Sequence, residues 1–102
     1  MILARVEGSV VATKKNPKMT GSKFRVVRPV VIDSTKAREF KDGVSTLVTV
    51  DSLGAGEGDL VLVVQGSSAR LASNDKDSPV DAVVVGIVDT VDLGKILLYK
   101  AQ

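Results

Sequence analysis

Two short stretches of this 102-residue chain have residue types and spacing that invite a chemical reading. Gly54-Ala55-Gly56-Glu57-Gly58 has the glycine density of a phosphate-cradling loop, and Gly66-Ser67-Ser68-Ala69-Arg70 sets two hydroxyls beside a guanidinium. A dinucleotide loop needs a strand before it and a helix after it, so that the helix N-terminus faces the pyrophosphate. Here the glycines lead into Asp59-Leu60-Val61-Leu62, which reads as strand, so a tight turn with close backbone approach is expected. GxxxxGK[ST] is absent: Gly94-Lys95 is followed by Ile96, and Asp89 stands where the first glycine belongs. The serine stretch is not Gly-x-Ser-x-Gly, and no His exists to act as base. His, Cys and Trp are all missing, which excludes a Ser-His-Asp or Cys-His centre and ordinary zinc, copper, haem or iron–sulfur ligation. The expectation is no catalytic residue, no metal site and no cofactor.

The charged residues give little more. Ser73-Asn74-Asp75-Lys76 matches SxxK without its companion motifs, and Asp75, Asp77 and Asp81 lack the spacing and turn glycine of a calcium loop. They read as a solvated loop. Asp51 and Asp89 each end an apolar strand, either as paired carboxylates or as turn caps and ion-pair partners, with Arg70 or Arg5 as the candidate cations. Lys14, Lys15, Lys18 and Lys23 could meet nucleic-acid phosphates, but single-strand binders also stack bases on aromatic platforms. Phe24, Phe40 and Tyr99 are the only aromatics, and none lies in an interleaved basic–aromatic strand pair. Neither nucleic acid nor a membrane is expected as a partner.

The elements that must position these residues are strands. At this length one domain spanning 1–102 is expected, with a thin core that buries about 65% of the unfolded surface. Lack of Cys fits a reducing compartment, and charges interrupt the apolar residues from Arg5 onward, unlike a signal peptide. A soluble cytosolic chain is expected. Val occurs 19 times against nine Leu and four Ile, and stiff β-branched side chains suit pleated surfaces. Alternation over Ile2 to Ala12 predicts a long half-buried strand bent or bulged at Gly8. Turn chemistry at Asn16-Pro17-Lys18 and Thr20-Gly21 returns the chain into Phe24-Arg25-Val26-Val27, with Pro29 marking a sheet edge. Asp33 to Gly43 reads as an exposed connection with room for a helical turn over Ala37 to Lys41. Further strands are predicted at Thr46–Val50, Leu60–Gln65, Ala82–Val88 and Ile96–Tyr99. Turns at Gly54 to Gly58, Asn74 to Pro79 and Asp92-Leu93-Gly94 separate them, and Gly66 to Ala72 is the one short helix. The fold class is all-β: a small antiparallel five-to-six-stranded OB-like barrel with one short helix. A small sandwich is the alternative.

Leu60 to Val64 and Val83 to Val88 are apolar on both faces, although one small barrel has only one interior. Either the short helix and loops cover the outward residues, or another copy of the chain does. Residues 1–41 carry ten Lys/Arg against three Asp/Glu, residues 42–102 four against nine. That division suits head-to-tail rings in which unlike surfaces meet.

The series Gly8-Ser9-Val10-Val11-Ala12-Thr13-Lys14, Thr20-Gly21, Lys23, Val50 to Gly58, Val61-Leu62-Val63, Gly66 to Arg70, Pro79 to Ala82 and Ile87-Val88-Asp89 resembles the bacterial microcompartment vertex-protein family. This is the EutN/CcmL family of ethanolamine-utilisation and carboxysome shell proteins, and the likeness covers nearly the whole chain in order. The resemblance implies a structural shell protein without catalytic activity. It would be a barrel assembling into a cyclic ring, a homopentamer (with hexamers possible in crystals), that caps shell vertices among hexameric shell proteins in the cytoplasm. An OB-like nucleic-acid-binding domain is the alternative. By resemblance, Gly54, Ala55 and Gly56 match the family's glycine loop, and Gly66, Ser67, Ser68, Ala69 and Arg70 its second signature. Both are expected at the subunit interface near the symmetry axis and its pore.

Overall fold

The computed structural model describes residues 1–13, 15–19, 23–33, 39–72 and 80–102, with only the backbone for Met19, Ser68, Arg70 and Leu71. The strands are β1 (Ile2–Val10), β2 (Phe24–Ile32), β3 (Phe40–Asp42), β4 (Leu47–Asp51), β5 (Leu60–Gln65), β6 (Ala82–Ile87), β7 (Thr90–Leu93) and β8 (Ile96–Lys100). One short helix, α1 (Ser67–Ala72), lies between β5 and β6. β1, β5, β6, β4 and β2 pair in that order, and β2 pairs back with β1, closing a five-stranded barrel to which β3 adds. The sandwich alternative is thereby removed.

The barrel is not wholly antiparallel as expected. Strand directions that alternate around a closed ring return to their start only when the number of strands is even. Five strands force at least one parallel pair, and it falls between β4 and β6, at Val50↔Val83 and Asp51↔Val84. The predicted irregularity at Gly8 is present, since the β1–β2 register shifts between Val6 and Gly8. A second shift between Leu62 and Val63 in the β5–β6 ladder leaves Val85 without a partner.

Pro29 does not mark an edge. It sits inside β2, opposite Ala4, and its carbonyl accepts from Gly43 N at 2.8 Å. A strand residue's N–H and C=O point to the same side. The missing donor therefore faces the gap where β2 exchanges one partner, β4, for another, β3. The connection from Asp33 to Gly43 contains β3, so Phe40 and Lys41 are strand rather than helical turn; Ala37 lies outside the described residues. β7 was also unforeseen: Asp92 and Leu93 are strand, and the turn is at Gly94-Lys95, with Gly94 at φ 60°. Asn16 caps its turn through Oδ1, which accepts from Lys18 N at 2.9 Å. The turns predicted at Thr20-Gly21 and Asn74 to Pro79 lie outside the described residues.

Inside the barrel, Ala4, Val6, Val27, Ala55, Val61, Val63, Ala82 and Val84 form the core. On the outside, Ala69 of α1 and Val80 pack on Val83, with Phe24, Val50 and Val64 against them. The chain's own helix therefore covers part of the two-sided strands. Val85 and Ile87 stay 37% and 39% exposed. Leu60 is among the largest fully buried side chains, and Leu60→Ala should cost about 2–5 kcal/mol in urea unfolding at fixed protein concentration. Leu97→Ala, at a side chain 55% exposed, should stay within about 0.5 kcal/mol.

Candidate interface loops

The glycine loop is organised by one carboxylate. Asp51 ends β4 with its side chain fully buried. Its Oδ1 accepts from Leu53 N at 2.9 Å and Gly54 N at 3.2 Å. Its Oδ2 accepts from Ala55 N at 2.8 Å and Arg25 Nε at 3.2 Å. Asp51 is thus the turn cap of the two roles weighed for it, and its cation is Arg25, not Arg5. Arg5 instead pairs with Asp42 at 2.8 Å. Asp89 sits at the base of the β7–β8 hairpin, where its carbonyl accepts from Ala101 N.

A second carboxylate, which sequence reading passed over, holds the far side of the loop. Asp59 Oδ2 accepts from Gly56 N at 2.8 Å, and Asp59 N donates to Gly56 O at 3.0 Å. The Gly-x-x-Asp spacing was its available signal. Gly58 N and Val6 N then tie the loop to β1, donating to Val6 O and Asp59 O at 2.9 Å each. Gly54 and Gly58 adopt φ of 84° and 91°, which L side chains disfavour. Between them Ala55, 1% exposed, plugs the core.

Gly66, at φ 68°, turns the chain from β5 into α1, and its N–H donates to Asp81 O at 2.8 Å. Ala69 is fully buried in the outer cluster, while Gly66 and Ser67 are exposed; the side chains of Ser68 and Arg70 lie outside the described residues. The two signatures flank opposite ends of the six-residue β5, so the fold separates them by roughly 20 Å at the usual strand rise rather than joining them in one cleft. Ala55 and Ala69 are spent on the chain's own packing. Gly54, Gly56, Gly66 and Ser67 present backbone and small atoms to the outside.

Arg25, Arg28 and Lys15, among the basic residues near the start, each have a partner. Arg25 also reaches Ser9 Oγ at 2.5 Å, and Lys15 Nζ lies 5.3 Å from the centre of the Phe24 ring. Arg28 bonds Glu7 at 3.0 Å, which raises its guanidinium pKa, and donates to Gly43 O at 2.9 Å. Phe40 pairs with Ile32, at the opposite end of β2 from Phe24, and Tyr99 stands on β8 in the separate hairpin, so no two of the aromatics are cross-strand neighbours able to stack bases. Among the described residues, no three His, Cys, Asp or Glu side chains converge as metal ligands.

Fold and site together define a class: small closed β-barrels whose glycine loop is a backbone turn held by two carboxylates, the buried Asp51 and the partly buried Asp59. The family model "Ethanolamine utilisation protein EutN/carboxysome" matches residues 1–89. The chain belongs to this EutN/CcmL family. It is 46% identical over 92 residues to the microcompartment shell vertex protein GrpN of Rhodospirillum rubrum, covering 90% of this chain and 97% of that protein. It is 40% identical to the carboxysome shell vertex protein CcmL of Thermosynechococcus vestitus, over 100% of this chain and 97% of that one. The solved structure of the R. rubrum GrpN pentameric microcompartment shell protein superposes with a TM-score of 0.77 and 43% identity, covering 91% of this chain and 99% of that one. Its homologues are thus bacterial microcompartment shell vertex proteins.

Asp51→Ala strips a buried acceptor from three backbone N–H groups and from Arg25, and should cost about 3–5 kcal/mol in urea unfolding at fixed concentration. Gly54→Ala should cost roughly 1–2 kcal/mol through its positive φ.

Proposed function

We propose that this chain, 1–102 as one vertex-protein barrel, is a structural subunit of a bacterial microcompartment shell that forms cyclic homopentamers and caps the shell's vertices. The single observation that carries this reading is the match, along nearly the whole chain, to a pentameric shell protein with the same barrel. The role follows from geometry. Hexagonal tiles alone make flat sheets, and a closed polyhedral shell needs five-fold units at its corners. The partners are then four further copies and the hexameric tiles around them, inside the cytoplasm.

Such a subunit needs adhesive surfaces and no chemistry. The absence of His and Cys, the structural use of Asp51, and the scattered aromatics all support a non-catalytic role without nucleic acid. The exposed small residues Gly54, Gly56, Gly66 and Ser67 are the proposed subunit contacts near the axis, with Ser68 and Arg70 beside them. Small residues permit close approach of a neighbouring backbone.

Native mass spectrometry should find five copies per particle; a stable single-copy species would overturn the reading. Gly56→Ala separates an interface role from a monomer role. Gly56 has no positive φ, and an added Cβ would meet only Asp59 Oδ2, at an ordinary 3.7 Å. The barrel should therefore keep its circular dichroism while the pentamer dissociates at higher protein concentration than wild type, as should Arg70→Ala. Unchanged dissociation in both variants would leave these loops to the monomer alone.

A further inference from the structure

The sequence holds one Asp-Gly pair, Asp42-Gly43, and no Asn-Gly. An aspartate before glycine is chemically exposed to its own backbone, because the next residue has no side chain to keep its nitrogen from the carboxyl. The nitrogen bonds to the carboxyl carbon, and the protonated carboxyl gives up its OH, with the nitrogen's hydrogen, as water. A five-membered imide results. Water then reopens the imide at either carbonyl, giving back aspartate or giving isoaspartate, whose main chain runs through the former side-chain carbon. The water lost is regained, and no oxidant, reductant or co-reactant enters.

The fold explains why these two residues stand together. Gly43 N donates to Pro29 O at 2.8 Å, and a Cβ at this position would lie 3.1 Å from the same oxygen. The close approach of two backbones therefore suits glycine at 43. Asp42 is tied to Arg5, whose Nη1 donates to Oδ1 at 2.8 Å. Two separate structural needs have thus set a reactive dipeptide at the end of β3.

The place is one where the chain can open. β3 has three residues, stands last in the sheet order and meets β2 only at Val30, Val31 and Ile32. The Asp42 side chain is 53% exposed, and Val44 to Thr46 beyond it are exposed and outside any strand. Short elements at a sheet's end open far more often than the whole molecule unfolds. While β3 is docked, three bonds hold the reactants apart. Pro29 O keeps the Gly43 nitrogen directed at β2, Arg28 Nη1 donates to Gly43 O at 2.9 Å, and Arg5 holds the carboxyl.

We propose that Asp42-Gly43 is a site of spontaneous isoaspartate formation, guarded by the Arg5–Asp42 pair and by the docking of β3 on β2. Isoaspartate lengthens the main chain by one carbon between the two residues. Asp42 then cannot stay opposite Val30 while Gly43 meets Pro29 and Arg28, so the product loosens β3. The barrel core, which takes no residue from β3, is left intact.

The test incubates the full-length protein in water enriched in heavy oxygen and then maps its peptides by mass spectrometry. Each ring opening leaves one heavy oxygen at the dipeptide, and the isoaspartyl peptide elutes apart from its parent. Native wild type should react about five- to thirtyfold more slowly than the same chain unfolded in urea. Arg5→Gln, with circular dichroism unchanged, should speed the native reaction about two- to fivefold, as loss of an exposed ion pair implies. Arg5→Lys should restore most of the protection. Asp42→Glu keeps a carboxylate but cannot close the five-membered ring, and should take up no label there. Native protein that stays unlabelled while the unfolded chain is converted many times over would remove the site. Equal rates in native and unfolded chains, or in Arg5→Gln and wild type, would remove the guard.

Discussion

The buried carboxylate of Asp51 is the interaction on which the architecture turns. A five-stranded ring cannot alternate direction throughout, so one seam must be parallel, and here it is only two residue pairs long. Asp51 sits in that seam, opposite Val84. From there it holds three successive backbone donors and the Arg25 guanidinium on β2. The chain leaving the seam is thereby folded at once into the loop whose Ala55 fills the core and whose Gly58 bonds back to β1. A charge inside a protein is tolerated when its lone pairs are satisfied, and these are. Closure of the barrel and shape of the glycine loop are consequently one structural fact.

The repetitive parts of the fold were legible because their physics is local. Alternation over Ile2 to Val10 and the run Leu60 to Gln65 announce strands, and Gly8 announces the β1 irregularity. What could not be read depended on partners far along the chain. β3 is three residues long and exists only because β2 offers it an edge beyond Pro29. Asp92-Leu93 has turn-like composition and becomes strand because Leu97 and Ile96 lie opposite. The parallel seam is a property of ring parity, invisible in any single segment. The same holds at the loops. Glycines with positive φ could be anticipated at 54, 58 and 66, but choosing Arg25 over Arg5 as the partner of Asp51 required the β2–β4 register.

Charge follows a similar lesson. Three arginines of the basic first part, Arg5, Arg25 and Arg28, meet Asp42, Asp51 and Glu7 across strands. The two exposed pairs add little stability each, on the order of 0–1 kcal/mol. Their effect is on register, because Arg5 and Arg28 are themselves opposite one another in the β1–β2 ladder.

A barrel of this size has a core made largely of Val and Ala, whose side chains bury little area apiece. The apolar residues that the core cannot accommodate end up outside, where α1 covers one part and Val48, Val85, Ile87, Leu93 and Leu97 stay exposed. For an enzyme that distribution would be a liability. For a subunit whose use is to be bound on several sides, it is the means of binding: association that buries those residues adds to the stability of each barrel by mass action. This chain fixes its glycine loop with the buried Asp51 and the partly buried Asp59, and leaves apolar side chains on the outer faces of its strands.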